Sequence, residues 1–122
     1  MGQHSEVRNL RVRWNGMNGI YAGTGVTITG NIAHHNGQHG IRANYGSTIT
    51  GNTIYQNGSN GIYAQSGSLV KGNTVKNNGM RGLSLINQSG YRENVISGNQ
   101  AGTVVGGVNL GGNLCNGSTT CP

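Results

Sequence analysis

Cationic, aromatic and imidazole side chains recur in this sequence at a spacing of 21 residues. The three columns are Arg13, His34, Tyr55 and Lys76; then Tyr21, Arg42 and Tyr63; and then Trp14, His35 and Gln56. Aromatic rings beside cations suit acidic sugars, because the cation attracts the carboxylate and the ring supports the apolar face of the sugar. His, Tyr, Arg and Lys side chains also supply the base and the cation that lyase or epimerase chemistry needs. The alternative for every column is an ordinary solvated face.

The sequence therefore contains a set of candidate ligand-binding residues and no assigned catalytic residue. The candidates are Tyr21, Arg42, Tyr63, His34, Tyr55, Lys76 and Trp14. The only acids are Glu6 and Glu93, four repeats apart, or roughly 19 Å at about 4.8 Å per stacked strand. A glycoside hydrolase needs its two carboxylates within about 10 Å, so this reaction is disfavoured. We expect no cofactor and no metal.

The spacing of 21 extends through most of the chain and predicts a solenoid. Gly-Ile or Gly-Leu pairs begin at Gly19, Gly40, Gly61 and Gly82, and a column of asparagines contains Asn15, Asn36, Asn57, Asn78 and Asn99. Between these residues, apolar side chains alternate with polar ones in short runs, which is typical of β-strands. Each repeat is thus predicted to contain three short strands and three corners, stacked in parallel on the next repeat.

A second column of asparagines is predicted to form a ladder inside one corner. Its members are Asn31, Asn52, Asn73 and Asn94. Asparagine tolerates the left-handed backbone of a corner, and its amide offers both a donor and an acceptor to the asparagines above and below. We interpret these residues as structural.

The repeats resemble those of right-handed parallel β-helix proteins, both pectate-lyase-like and NosD-like. The resemblance lies in "GIYA…GVTITGNIAHHNG", "GIRA…STITGNTIYQNG" and "GIYA…SLVKGNTVKNNG" and covers roughly Val7 to Leu114. It implies an all-β, right-handed parallel β-helix of about 21 residues per coil and between four and five coils. The tail resembles the C-terminal part of secreted bacterial β-helix proteins of unassigned function. Calcium-dependent lyases of this fold hold the metal with clustered Asp, which this chain lacks, so this activity is disfavoured too.

The chain is predicted to be one domain, 1–122, with an irregular first coil (1–14), regular coils (15–102) and a short last coil with a C-terminal cap (103–122). Cys115 and Cys121 are close enough in sequence for a disulfide that closes this cap, and a metal site is the weaker alternative. A disulfide indicates an oxidising compartment, so we expect a secreted or periplasmic protein of bacterial type. The segment "MGQHSEVRNL" is not a signal peptide.

The net charge of +6 favours anionic partners. No recognised nucleic-acid motif accompanies the scattered cations, and no run is long enough to insert into a membrane, so acidic polysaccharide is the expected partner. We predict a non-catalytic structural or binding module; the alternative is a fragment of a metal-independent polysaccharide lyase or epimerase. Because no helix precedes the first coil to cover it, we also expect a homo-oligomer, unless a longer parent protein supplies further coils.

Overall fold

The computed structural model describes residues 5–122, which form short strands joined by tight corners. The strands are β1 (Glu6–Arg8), β2 (Arg11–Arg13), β3 (Ile20–Ala22), β4 (Thr27–Thr29), β5 (Ile32–His34), β6 (Ile41–Ala43), β7 (Thr48–Thr50), β8 (Thr53–Tyr55), β9 (Ile62–Ala64), β10 (Leu69–Lys71), β11 (Thr74–Lys76), β12 (Arg81–Leu85), β13 (Gly90–Arg92), β14 (Val95–Ser97), β15 (Gly102–Val105), β16 (Val108–Asn109) and β17 (Leu114–Cys115). Within residues 5–122 there is no helix with the length and apolarity needed to span a bilayer.

Every third strand joins the same parallel sheet. Sheet A contains β1, β4, β7, β10, β13 and β16; sheet B contains β2, β5, β8, β11, β14 and β17; and sheet C contains β3, β6, β9, β12 and β15. The pairing aligns residues 21 apart, such as Val7 with Ile28 in sheet A. The strands of the three sheets form roughly five turns, whereas the sequence predicts between four and five coils. The prediction of an all-β parallel β-helix with about 21 residues per coil is confirmed.

The core lies between the three sheets and receives one or two side chains from each regular strand. Its fully buried members include Ile28, Ile49, Val70 and Tyr91 from sheet A, Ala33, Ile54, Val75 and Ile96 from sheet B, and Ile41, Ile62 and Leu83 from sheet C. Burial of one such aliphatic side chain contributes about 1.5–3 kcal/mol. Because a single coil leaves its inward side chains open above and below, the core exists only through stacking.

Asparagine ladders occupy two of the three corners. In the first, the backbone N–H and Nδ2 of Asn31 both donate to Oδ1 of Asn52, at 2.8 and 3.1 Å. The same pair of bonds runs through Asn73 and Asn94 and ends at Asn113 after a shorter step of 19 residues. The second ladder contains Asn15, Asn36, Asn57, Asn78 and Asn99. These amides hold neighbouring coils at a fixed separation.

The first and the last coil of the described chain differ in how they are held to the rest of the β-helix. Within the expected irregular first coil, β1 and β2 already pair in the regular register, while residues 1–4 lie outside the described part of the chain. At the other end, Cys115 pairs with Ile96 in sheet B and forms a disulfide with Cys121. The disulfide therefore ties the final segment to the last strand of sheet B.

Candidate functional site

The candidate residues lie on both sides of one corner, the one that leads from sheet B to sheet C. Tyr21, Arg42 and Tyr63 point outward from sheet C, where the register places them in one row. His34, Tyr55 and Lys76 form the equivalent row on sheet B. Trp14 follows the last residue of β2 and lies at the corner itself.

On sheet C, the guanidinium of Arg42 lies between two tyrosine rings. Its Cζ is 5.1 Å from the ring centroid of Tyr21 and 5.5 Å from that of Tyr63, which is within cation–π range on both sides. The Nε atom of Arg42 is buried without a hydrogen-bond partner. The ring of His39 stacks on Tyr63 with a centroid separation of 5.3 Å. These contacts hold a cation in one place on an outward face.

On sheet B, the row is a stack in which His34 is covered by its neighbours. The rings of His34 and Tyr55 are nearly parallel with centroids 4.8 Å apart, and Nζ of Lys76 lies 6.0 Å from the centroid of Tyr55. His34 points away from the core but is only 7 % exposed, and its Nε2 is buried without a partner. The strand pattern predicts His34 as a surface residue, whereas its neighbours in the structure cover it. It therefore supports the ring of Tyr55 and offers a ligand little surface.

A contact between the two adjacent histidines joins this row to the corner. The Nδ1 atoms of His34 and His35 are 2.7 Å apart, so one ring carries the hydrogen and the other accepts it. The other side of the contact is Trp14, which stacks on His35 with a centroid separation of 4.5 Å. Trp14 itself is 69 % exposed. The imidazole pair thus links a buried stack to an exposed indole.

Burial and neighbouring cations lower the pKa of two histidines below the usual value of 6.5. Burial lowers the pKa of His34 most, followed by His35 and then by Arg13 and Arg11 on the adjacent strand. For His39, burial lowers the pKa and the nearby charge of Arg42 lowers it further. Both imidazoles therefore bind a proton less tightly in the folded protein than in the unfolded chain.

Acidification is accordingly expected to destabilise the fold. As the pH falls below about 6.5, His34 and His39 become protonated in the unfolded chain but stay neutral in the folded protein. The free energy of unfolding therefore decreases until the pH has passed the lower pKa of the folded state. Urea titrations between about pH 8 and pH 5 measure this decrease. A variant with His34→Asn and His39→Asn should have a flatter profile, and a wild-type slope in that variant would contradict the assignment.

A shallow cavity, which we call the corner groove, runs along the helix axis between the two rows. Its volume is about 650 Å³, within the usual range for ligand sites. Its lining residues are Trp14, Asn15, Gly16, His35, Asn36, Gly37, Gln56, Asn57, Gly58, Asn77, Gly79 and Gln100. The ladder asparagines and the glycines form the corner, and five other side chains form a rim above it, namely Trp14, His35, Gln56, Asn77 and Gln100.

Four of the five rim residues have an unusual backbone. Trp14, His35, Gln56 and Asn77 have φ values of 59°, 54°, 53° and 56°, in the left-handed region. A residue with a side chain loses roughly 1–2 kcal/mol there compared with the right-handed conformation. The equivalent positions of the other two corners are mostly glycine. One has Gly30, Gly51 and Gly72 between Asn9 and Glu93, and the other has Gly25, Gly46 and Gly67 followed by Gln88.

The acidic residues lie away from both rows. Glu6 and Glu93 belong to the first and the fifth coil of sheet A, and each contacts an arginine of its own coil, Arg8 at 3.7 Å and Arg92 at 3.8 Å. In the described part of the chain, no three His, Cys, Asp or Glu side chains converge as a metal-binding group. The charged groups that border the corner are therefore cations.

Sequence reasoning missed two parts of this site. It did not include His39, which lies two residues before β6 and reaches Tyr63 of the next coil. It identified the column of Trp14, His35 and Gln56 but selected only Trp14, and it did not connect this column to Asn77 and Gln100. The available signal was the repeated "NG" after each of the first four rim residues, since this dipeptide marks the same corner in successive coils.

Comparison with known proteins gives one family. The family model described as "Right handed beta helix region" matches residues 1–119. No curated protein and no solved structure matches the chain.

Proposed function

The chain belongs to the right-handed β-helix family, and we propose that it is a non-catalytic binding module of that fold, which holds acidic polysaccharide at the rows of sheets B and C. A parallel β-helix presents side chains at one position per coil, at intervals of about 4.8 Å. A linear polymer that lies along the axis therefore meets the same side-chain position repeatedly.

The observation that carries the proposal is the position of Arg42 between Tyr21 and Tyr63. The two rings restrict the guanidinium before any ligand arrives, so less conformational entropy is lost on binding. No carboxylate in the described chain neutralises Arg42, because both glutamates contact arginines of sheet A. A pre-positioned, unpaired guanidinium is well suited to a sugar carboxylate, which it can bind through two parallel hydrogen bonds.

Lys76 provides a second cation on the other side of the corner groove. Its ammonium lies near the ring of Tyr55, so it repeats the combination of a cation and an aromatic ring. We place this activity outside the cytoplasm, in a secreted or periplasmic setting. The disulfide between Cys115 and Cys121 supports this location, since such bonds persist mainly in oxidising compartments.

The test is binding of polymannuronate and polygalacturonate to a variant with Arg42→Ala and Lys76→Ala. Loss of the two cations should weaken binding by about tenfold at low salt, the equivalent of about 1.4 kcal/mol, and should flatten the dependence of affinity on salt. The matched control carries Lys71→Ala and Arg92→Ala, which remove the same charge from sheet A. The control should retain most of the affinity.

Two results would contradict the proposal. Equal affinity of the wild type and the Arg42, Lys76 variant would mean that these rows are an ordinary solvated face. Equal weakening by the sheet A control would mean that binding follows net charge and not this site.

The alternative activity, a metal-independent lyase or epimerase, is less well supported by the geometry. Such an enzyme needs a base within hydrogen-bond reach of the sugar. The free nitrogen of His34, Nε2, is buried beneath its neighbours, and its Nδ1 is engaged with His35. Incubation of the same polymers with the protein separates an enzyme from a binding module, because a lyase forms new unsaturated ends and an epimerase changes the uronate composition of the polymer.

A further inference from the structure

We propose that the corner groove is a second, uncharged binding site, which takes a linear saccharide chain along the helix axis, with Trp14 and Gln56 as its principal contact residues. The inference rests on the proposed function in one respect, namely that the ligand is a saccharide. It differs in the site and in the chemistry of recognition, which here is ring stacking and amide hydrogen bonding instead of ion pairing.

The first observation is that side chains are retained where glycine is the easier residue. The left-handed backbone of the rim favours glycine, and the other two corners have glycine in three successive coils. Asparagine and histidine tolerate this region comparatively well, but tryptophan and glutamine do not belong to that tolerant set. Trp14 and Gln56 therefore occupy these positions at a conformational cost. Gln88 and Glu93 have the same backbone at the other two corners, so at Trp14 and Gln56 the conformation indicates function only together with the free amides and the exposed indole of this groove.

The second observation is that the rim amides are free, whereas the amides below them are saturated. Oδ1 of Asn57 accepts two hydrogen bonds from Asn36, and its Nδ2 donates to the carbonyl of Ala33 in the preceding coil and to Oδ1 of Asn78 in the next coil. By contrast, within residues 5–122 the exposed side-chain amides of Gln56, Asn77 and Gln100 make no hydrogen bond to the protein. Each free amide offers two donors and one acceptor oxygen. They can bind sugar hydroxyl groups from successive coils.

The third observation is that the lining is uncharged although the protein is strongly basic. Of the twelve residues that line the corner groove, none is Lys, Arg, Asp or Glu. At one end lies the indole of Trp14, which is 69 % exposed and contacts His35 by stacking. An indole offers a large apolar surface to the C–H face of a sugar ring, and the amides match its hydroxyl groups. The site is thus complementary to a neutral, hydroxyl-rich ligand.

An extended peptide fits this site less well. Peptides usually bind β-structures by adding a strand to an open sheet edge. In the corner groove the backbone N–H groups are already used: those of Gly37 and Gly58 donate to the carbonyls of Asn15 and Asn36, at 2.8 Å in both cases. The groove also runs across the strands rather than beside an edge. A saccharide needs only the side chains that are free.

Because the lining repeats from coil to coil, the length of the corner groove follows from the number of coils. Lining residues come from five successive coils, from Trp14 to Gln100, which corresponds to roughly 19 Å at about 4.8 Å per coil. Affinity should therefore rise with oligomer length until the chain spans this distance, and then level off.

The experiment uses calorimetric titration with two series of graded oligomers. Oligomannuronates and β-1,4-manno-oligosaccharides share the same ring and linkage, but the second series lacks the carboxylate. Trp14→Gly and Gln56→Gly should each weaken binding of the neutral series by about tenfold, and Gln56→Gly should leave the thermal unfolding midpoint unchanged or higher. Gln88→Gly is the matched control, since Gln88 is exposed and has a φ of 66° at a different corner. It should not alter binding.

The outcomes separate this inference from the proposed function. Binding of oligomannuronates that depends on Arg42 and Lys76, without binding of the neutral series, would overturn the inference and leave the proposed function intact. If the neutral series binds and Gln56→Gly weakens that binding, while Arg42→Ala and Lys76→Ala leave binding of the acidic series unchanged, the proposed function would be overturned and the inference left intact. Failure of both series to bind would overturn both. A lower unfolding midpoint for Gln56→Gly would show that this side chain serves the fold.

Discussion

Replacement of Asn52 by alanine is expected to reduce the free energy of unfolding by about 4 kcal/mol, because several buried polar groups lose their partners at once. The Oδ1 of Asn52 accepts from the backbone N–H and the Nδ2 of Asn31. Its Nδ2 donates to the carbonyls of Ile28 and Thr50 and to Oδ1 of Asn73. Each group left unpaired in the interior costs about 1–3 kcal/mol, and a small domain has only about 5–15 kcal/mol in total.

Urea unfolding, monitored by circular dichroism, measures this change. The control is Asn87→Ala, which removes an exposed amide from the corner between sheets C and A and should change stability by no more than about 0.5 kcal/mol. Similar small losses in both variants would show that the ladder contributes little beyond the stacking of the strands, and would remove the structural interpretation of the asparagine columns.

Replacement of Gly58 by alanine is expected to reduce stability by about 3 kcal/mol, because the coils are too close at this corner for a methyl group. A Cβ atom on Gly58 would lie 2.3 Å from the carbonyl oxygen of Gly37 in the coil below. The two coils cannot separate freely at this point, since the N–H of Gly58 donates to the carbonyl of the neighbouring residue Asn36 at 2.8 Å. The alanine variant must either separate the coils or break that hydrogen bond.

The chain contains a matched control in the same row. Gly16 occupies the equivalent position in an earlier coil, but nothing lies within 4 Å of a Cβ atom placed on it, and its φ is not positive. Gly16→Ala should therefore leave the urea midpoint within about 0.5 kcal/mol of the wild type. Equal losses for the two substitutions would attribute the effect to backbone flexibility and contradict the steric explanation.

These two predictions also explain why the glycines and asparagines recur in the sequence. In the row of Gly37, Gly58 and Gly79, each Cα faces the carbonyl of the preceding coil, so any side chain would collide. The asparagine beside each glycine satisfies the polar groups that such close stacking buries. The low apolar content of the chain, 33 %, is thus compatible with a packed core, because much of the interior at the corners is amide and not hydrocarbon.

The sequence by itself determined the architecture and the membership of each row. Parallel stacking at a constant period places residues 21 apart on top of one another, so Tyr21, Arg42 and Tyr63 could be assigned to one row without coordinates. The core column from Val7 to Tyr91 and the asparagine ladders follow from the same rule. The pairing of Cys115 with Cys121 was also accessible, because the two cysteines are the only ones in the chain.

The tertiary structure decided how neighbouring rows meet, and this is where the candidate site changed. His34 and His35 are adjacent in sequence, but the first ends a strand and the second turns the corner with a φ of 54°. That turn brings their Nδ1 atoms within 2.7 Å of each other, and so joins the sheet B row of His34 to the row of Trp14 and His35, whose rings stack. A repeat period specifies contacts along a row. It does not specify side-chain rotamers or the direction of a corner, so the burial of His34 and the corner groove could be found only in three dimensions.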